Sequence, residues 1–302
     1  MRLFDHAVAR VLPVVPRGVV RRVSAPYIAG PTLEDARRVV AELNAAGMRA
    51  TVDVLGEEIS RPESAESIAA AYHDALAAIS ADGLDANVSV KLTALGLHLD
   101  PSLCRSLLAE VVRDASARKV FVRIDMEDSS TTDATLELYR SLREEGHEGV
   151  GIVFQAALRR TLSDIEALSD LRPSVRLCKG IYVEPSAIAF QERQVIRKSF
   201  VACLDALVAA GCRVAVATHD EWILEQALDR VARLEAVGYE FQMLLGVRAE
   251  RARELVAAGH PLRIYVPYGQ QWYEYSLRRL QENPSVAGHV TKDVLRRLVP
   301  GR

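Results

Sequence analysis

The feature that most constrains the fold is a regular alternation of short β-rich runs with amphipathic helical segments along the chain. Eight such runs occur, at residues 50–55, 87–92, 120–125, 151–155, 174–179, 213–218, 239–244 and 262–266. Short runs that alternate with helices predict parallel βαβ units. Eight units in a chain of 302 residues, slightly longer than the usual ~250, predict a closed (β/α)8 TIM-like barrel.

A doubly wound open sheet is the alternative arrangement of such units. That fold usually carries a GxGxxG or GxxxxGK[ST] loop after a strand, and neither loop occurs here. We therefore predict a barrel over residues 48–302, with a C-terminal helix, and an N-terminal helical extension over residues 1–47. In the extension, Thr32 and Asp35 predict the start of a helix that ends at Gly47.

Composition and charge argue against several classes of protein. The net charge of −2 and a pI near 6.4 give no electrostatic basis for binding nucleic acid. No stretch approaches the ~18 uncharged apolar residues of a membrane-spanning helix. The four cysteines have neither metal nor redox spacing, which predicts reduced thiols in a cytoplasmic protein without a metal site. The basic, amphipathic N-terminus favours a helix that caps the fold over one that contacts a membrane surface.

Functional side chains of such a barrel collect at the carboxyl ends of the strands. Seven of the eight predicted ends carry polar groups: Lys91, Asp125 with Glu127, Gln155, Arg176 with Lys179, Thr218-His219-Asp220, Gln242 and Tyr265. Taken singly, such an acid can be a helix cap and such a histidine a hydrogen-bonded spacer. Barrel strands are buried on both faces, however, so an inward lysine or arginine needs a partner, which Asp125 and Glu127 can supply.

The segment 262–284 adds a site for an anion. Pro267 and Gly269 are predicted to end the last strand, and a helical segment follows. On one face of it lie, at i, i+3, i+4 and i+7, Tyr275, Arg278, Arg279 and Glu282. Two adjacent guanidiniums suit a carboxylate. The alternative is a solvated helix face of arginine and glutamate.

These motifs resemble, in order, those of proline dehydrogenases: SVKLTALG at 89–96, RIDMEDSS at 123–130, RLCKGIYVEP at 176–185, ATHD at 217–220, FQMLLGVR at 241–248 and YVPYG with YSLRRLQENP within 265–284. The chain resembles in particular the short, monofunctional bacterial members that use FAD. The similarity runs from about residue 51 to residue 284, and the first 47 residues match only loosely. Cys178 and Ile181 depart from the family, which often has Val and Ala there.

The resemblance implies an FAD held on the barrel, which would account for the absence of a glycine-rich loop. Arg176 falls on the family's arginine beside the flavin N5 edge, where a fixed cation stabilises the reduced ring. Gln155 would hydrogen-bond the pyrimidine edge of the ring. The ribityl, phosphate and adenine path would be lined by Lys179, Gly180, Thr218 and His219, with Glu282 as a further contact.

The same resemblance implies L-proline as the substrate. Its carboxylate would bind three cations, Lys91, Arg278 and Arg279. The pocket around its ring would be formed by Tyr265, Tyr275, Tyr182 and Leu244. Asp125 would tie Lys91 or a tyrosine in place, and Glu57 would pair with Arg278 as a gate.

The implied reaction is the oxidation of L-proline to Δ1-pyrroline-5-carboxylate, the first step of proline catabolism, with the electrons passed to a membrane quinone. The nitrogen lone pair assists the loss of hydride from ring C5, so the protein has to supply orientation rather than a strong base. A quinone acceptor implies a peripheral contact at the inner face of the membrane, which would give the basic N-terminal segment a use.

Two other functions are compatible with the sequence. A Schiff-base aldolase on the same barrel could use Lys91 or Lys179 as its nucleophile. A non-catalytic barrel could serve as a binding module, although it would lack a convergent set of strand-end groups. We expect no bifunctional or repressor role, because no aldehyde dehydrogenase or DNA-binding segment accompanies the barrel.

Overall fold

The structure, a computed structural model, describes residues 25–56, 59–273 and 276. Eight parallel strands close into one barrel in chain order: β1 (Arg49–Val54), β2 (Ala86–Val90), β3 (Val122–Ile124), β4 (Val150–Gln155), β5 (Ser174–Cys178), β6 (Arg213–Ala217), β7 (Tyr239–Leu244) and β8 (Leu262–Tyr268). Pairing of β1 with β8, from Arg49 opposite Arg263 to Val54 opposite Tyr268, closes the sheet. The predicted barrel is confirmed, because a doubly wound sheet would leave two edge strands unpaired.

The α-helices of the described residues are α1 (Leu33–Ala45), α2 (Pro62–Ala81), α3 (Pro101–Ala117), α4 (Thr132–Glu144), α5 (Thr161–Leu168), α6 (Arg193–Ala209), α7 (Glu221–Leu228), α8 (Val231–Val237) and α9 (Ala249–Ala257). Helix α1 packs on β1 and β8. It begins as predicted, since the Thr32 side chain accepts from the Asp35 N–H and the Asp35 carboxylate accepts from the Thr32 N–H. None of these helices is long and apolar enough to cross a membrane.

Two of the expected helices differ from the structure. The sequence between the fifth and sixth β-rich runs predicts one helix over residues 187–210, but α6 begins only at Arg193. Ala189 instead forms an antiparallel bridge with Leu158 in the loop after β4, and the Phe190 N–H donates to the Ala157 carbonyl at 2.8 Å. The sequence between the sixth and seventh β-rich runs predicts one helix over residues 221–237, which the structure divides into α7 and α8. At the division, the Arg230 N–H donates to the carbonyl of Ala227, three residues back.

Strand β8 continues through Pro267, where the sequence predicted a break. Strand β7 pairs with β8 only as far as Tyr265, so no partner on that side needs the missing N–H of the proline. The Pro267 carbonyl accepts from the Ala29 N–H at 2.9 Å, and the Tyr268 carbonyl accepts from the Leu55 N–H at 2.8 Å. The proline is tolerated because β7 has ended there, and the segment at Ala29 and Gly30 that takes its place bonds the Pro267 carbonyl instead.

The interior of the protein contains charged and polar groups as well as apolar ones. The fully buried apolar side chains include Tyr72, Tyr139, Phe154, Phe200 and Phe241. The buried polar groups include Asp53, Ser89, Arg123, Arg176, Glu240 and Gln242. Burial of a charge is costly unless it is paired and hydrogen-bonded. The partners of these groups therefore determine the geometry of the site.

Candidate active site

The centre of the site is the buried guanidinium of Arg176 on β5, whose side chain is 8% exposed. Its Nη1 donates to Asp125 Oδ1 at 2.6 Å and to Ser89 Oγ at 3.0 Å. Its Nε donates to Gln242 Oε1 at 2.6 Å. Nη2 is also buried, and it has no hydrogen-bond partner within the described part of the chain. This buried donor is therefore available to an acceptor on a bound group.

Asp125, directly after β3, joins Arg176 to Tyr265. Its Oδ2 accepts from the Tyr265 hydroxyl at 3.1 Å, while its Oδ1 accepts from Arg176. The Arg176 guanidinium also lies 5.3 Å from the centre of the Tyr265 ring, a cation–π contact. The sequence predicted that Asp125 would tie Lys91 or a tyrosine in place. In the structure Asp125 accepts a hydrogen bond from the tyrosine, and Lys91 donates hydrogen bonds to a different carboxylate.

Lys91 follows β2 and forms an ion pair with Asp53 on β1. Its Nζ lies 2.9 Å from both carboxylate oxygens of Asp53 and 3.4 Å from the Tyr265 hydroxyl. Burial by itself would lower the pKa of Lys91, but the charges of Asp53 and Asp125 raise it well above the ordinary lysine value. Lys91 is therefore an ammonium, whereas a Schiff-base nucleophile has to be a neutral amine.

Asp53 is a site residue that sequence reasoning missed. The available signal was an acid in the middle of a β-rich run, because both faces of a barrel strand are buried and a buried carboxylate needs a cation.

Glu127 was expected to pair with a cation, but its hydrogen-bond partners are neutral groups. Its carboxylate accepts instead from the Thr93 N–H at 3.0 Å and the Thr93 hydroxyl at 2.5 Å. Burial raises the pKa of Glu127.

A second cluster of charges surrounds Asp220, which directly precedes α7. Its carboxylate contacts Arg197 at 2.6 Å, Lys179 at 3.3 Å and Arg193 at 3.4 Å. Burial would raise the pKa of Asp220, but hydrogen bonds from Arg197 and the charge of Lys179 lower it well below its usual range. The Asp220 side chain is 1% exposed and that of Lys179 38% exposed. Three cations around one carboxylate leave an excess of positive charge, which suits a phosphate.

The loop after β5 comes very close to β4 at Gly180. This glycine has φ +97°, and a Cβ on it would lie 2.8 Å from Gln155 Oε1. Both the left-handed backbone and the close approach therefore require glycine. Gln155 Nε2 donates to the Glu127 carbonyl at 2.6 Å. The structure thus places Gln155 and Gly180, two of the predicted cofactor residues, against each other.

His219 and Thr218, which follow β6, are held by neighbouring backbone groups. His219 Nε2 accepts from the Leu244 N–H at 3.0 Å. A backbone N–H can only donate, so the neutral imidazole carries its proton on Nδ1. The Thr218 hydroxyl oxygen accepts from the Asp220 N–H at 3.1 Å. These bonds bring the ends of β6 and β7 together at the same mouth of the barrel.

The remaining predicted site residues divide into two groups. Tyr182 lies in the loop after β5 and is 40% exposed, next to Ile181 at 56% and Val183 at 100%. Outside the described residues lie Glu57, Tyr275, Arg278, Arg279 and Glu282. Within the described residues, no group of three or more histidine, cysteine, aspartate or glutamate side chains could hold a metal ion.

Comparison with known proteins relates the chain to one family. The family model described as "Proline dehydrogenase" matches residues 36–292. Proline dehydrogenase 1 of Bacillus subtilis subsp. natto is 39% identical over 273 residues, which cover 90% of each chain. Proline dehydrogenase of Deinococcus radiodurans is 34% identical over 277 residues, which cover 89% of each chain.

A solved structure shares the fold. Proline utilization A (PutA) from Bdellovibrio bacteriovorus, inactivated by N-propargylglycine, superposes with a TM-score of 0.82 at 24% sequence identity. The match covers 93% of this chain and 36% of that one.

Proposed function

The chain belongs to the proline dehydrogenase family, and from that membership we propose that it oxidises L-proline to Δ1-pyrroline-5-carboxylate with a non-covalently bound FAD. The observation that carries the assignment of the cofactor is the buried Nη2 of Arg176, a donor without a partner among the described residues. FAD would accept the hydride that leaves C5 of the proline ring. The other roles proposed below belong to the protein's own side chains.

The described residues fit an FAD in three respects. The Arg176 guanidinium has a donor available for an acceptor atom of the ring system, and it supplies a fixed positive charge beside that ring. Gln155 would contact the pyrimidine edge. The phosphates would lie near Lys179 and Gly180, where the cations around Asp220 supply positive charge and glycine permits a close backbone approach. Thr218, His219 and Glu282 would line the rest of the cofactor path.

The substrate carboxylate would bind Lys91 together with Arg278 and Arg279. Lys91 suits this role because its charge is secured by Asp53 while 16% of its side chain stays exposed. The walls around the proline ring would be Tyr265, Tyr275, Tyr182 and Leu244, with Glu57 as a gate. This arrangement would hold C5 in one position, which is the main contribution required of the protein.

The described carboxylates at this mouth support the absence of a dedicated base. Asp125 accepts hydrogen bonds from Arg176, Ser89 and Tyr265, and Asp53 is ion-paired to Lys91. Each of these carboxylates would have to give up its partners to take a proton from the substrate. The proline amine would therefore lose its proton to water, and Lys91 and Arg176 would serve binding and orientation.

We expect the purified protein to be yellow, and addition of L-proline without oxygen to bleach the flavin absorbance. Acid precipitation should release all of the colour into the supernatant, because burial raises the pKa of the Cys178 thiol to about 11 and leaves it a weak nucleophile. Colour in the pellet would contradict non-covalent binding. A colourless protein that forms a borohydride-stable adduct with a carbonyl substrate would support the aldolase instead.

Arg176→Lys is expected to slow flavin reduction about tenfold or more while most of the flavin stays bound. A lysine keeps the charge, but it lacks the planar guanidinium that donates to Asp125 and to Gln242 at the same time. Stopped-flow absorbance with L-proline measures the rate. Arg230→Lys is the matched control, because Arg230 bonds Asp205 away from the site. An unchanged rate in Arg176→Lys would show that Arg176 does not face the ring.

We infer that a membrane quinone reoxidises the flavin. The proposal rests on the resemblance of the strand-end motifs to the monofunctional bacterial members, and on exposed apolar side chains in the loop after β5. Ile181, Val183 and Ile188 in that loop are 56%, 100% and 38% exposed, and several exposed apolar side chains in one loop favour contact with an apolar partner. A quinone acceptor also supports peripheral attachment at the inner face of the membrane. The N-terminal segment proposed for that contact lies outside the described residues.

A further inference from the structure

We propose that Glu240 and Gln242 on β7 are positioning residues that set the orientation of Arg176. This inference rests on the proposed function, in which Arg176 faces the flavin. The two residues are two positions apart in one strand, so their side chains project to the same face. That face is the barrel interior, where Glu240 is 4% and Gln242 6% exposed. Neither residue would need to touch the substrate.

The hydrogen bonds of Gln242 determine which way its amide points. Its Nε2 donates to Glu240 Oε1 at 2.6 Å, and its Oε1 accepts from Arg176 Nε at 2.6 Å. An ionised carboxylate can only accept and a guanidinium can only donate. The amide between them therefore has a single orientation that satisfies both neighbours. As long as Glu240 is ionised, the carbonyl oxygen of Gln242 faces Arg176.

Arg263 keeps Glu240 ionised. Burial would raise the pKa of Glu240, but the charge and hydrogen bond of Arg263 lower it below the ordinary value. Arg263 Nε donates to Glu240 Oε1 at 2.8 Å, and Arg263 Nη1 donates to the Ala50 carbonyl at 2.6 Å. Arg49 Nη1 lies 3.6 Å from Glu240 Oε2. Arg49 and Arg263 thus connect the carboxylate to β1 and β8.

The bond at Nε is needed because Asp125 and Ser89 hold Arg176 at one nitrogen only, Nη1. With only Nη1 hydrogen-bonded, rotation of the side-chain torsions can still turn the guanidinium plane. A second hydrogen bond, which Nε donates to Gln242 Oε1, removes that freedom. The direction of Nη2, the donor available to a bound group, is then determined. Gln242 therefore sets the direction in which this donor points, and Glu240 contributes by fixing the orientation of the Gln242 amide.

Gln242→Met tests whether Gln242 sets the orientation of Arg176. Methionine keeps length and apolar bulk, removes the acceptor for Nε, and leaves the net charge unchanged. In the flavin-bound protein we expect proline-dependent flavin reduction to slow about tenfold and the flavin midpoint potential to become more negative, because the cation is less well fixed beside the ring. The KM for proline should change less than about twofold, because other residues bind the carboxylate.

Glu240→Gln tests whether Glu240 acts on Arg176 through Gln242. It also provides a test of the positioning role if the Gln242→Met protein fails to fold. A neutral amide keeps a bond to Arg263 but no longer dictates the orientation of Gln242, so flavin reduction should slow several-fold. In an Arg176→Lys background, which already lacks the Nε bond, the same substitution should have almost no further effect on the rate. Asp164→Asn is the matched control. Asp164 is also buried and bonds an arginine, Arg160, at 2.8 Å.

The outcomes separate this inference from the proposed function. A wild-type protein whose flavin is not reduced by proline would overturn both the proposed function and the positioning role. If proline reduces the flavin of the wild type, and Gln242→Met changes neither the rate of that reduction nor the flavin midpoint potential, only the positioning role is overturned. Equal slowing by Glu240→Gln in the wild-type and Arg176→Lys backgrounds would also overturn it, because Glu240 would then act independently of Arg176.

Discussion

Lys91→Met is expected to destabilise the barrel by about 3–5 kcal/mol and to raise the KM for proline strongly. The loss of stability follows from the burial of Asp53, whose side chain is 0% exposed and which Lys91 holds at 2.9 Å. Without the ammonium, a buried carboxylate has to stay charged without its partner or take up a proton. Denaturant unfolding of the flavin-bound protein measures the stability, and steady-state turnover measures the KM.

The double variant Lys91→Met with Asp53→Asn separates the two roles of the lysine. It contains neither charge, so much of the stability should return, because the unpaired buried carboxylate is gone. The KM for proline should stay high, because the cation that binds the substrate carboxylate is still missing. Lys198→Met, on the exposed face of α6, is the control and should change stability by less than about 0.5 kcal/mol. A normal proline KM in the double variant would exclude Lys91 from the substrate site.

Arg278→Met and Arg279→Met are each expected to raise the KM for proline roughly tenfold to a hundredfold. Each substitution removes a charge-assisted contact to the substrate carboxylate, worth about 1.5–3 kcal/mol, while it keeps apolar bulk. Because the carboxylate also orients C5, kcat should fall as well. Steady-state kinetics with L-proline over a wide concentration range measure both constants.

Pyrrolidine, which has the ring but no carboxylate, provides the control for the arginine variants. It should be a poor substrate for the wild type and should lose little further activity in either variant, since the removed contact is one that pyrrolidine cannot make. An unchanged KM for proline in both variants would show that the two arginines form a solvated helix face. The substrate carboxylate would then have to bind elsewhere, with Lys91 as the remaining cation of the proposed set.

The architecture could be predicted from the sequence because hydrophobic periodicity is a local property. Eight β-rich runs between amphipathic helices leave few topologies, and the runs at 213–218 and 239–244 correspond within a residue to β6 (Arg213–Ala217) and β7 (Tyr239–Leu244). The local prediction was wrong where tertiary contacts compete with propensity. Residues 188–190 bond the loop after β4 instead of forming a helix. Pro267 is accommodated because β8 extends beyond the last residue at which β7 pairs with it.

The set of polar groups at the mouth of the barrel was also predictable, because parallel strands of a barrel end on one side. Which of these groups contact each other was decided only by the tertiary structure. Lys91 pairs with Asp53, 38 residues away, Arg176 with Gln242, 66 residues away, and Tyr265 with Asp125, 140 residues away. Such pairs depend on strand register and on the reach of each side chain across the barrel. Sequence spacing determines neither quantity, so it identified Arg176 as a site residue but not the partners that hold it.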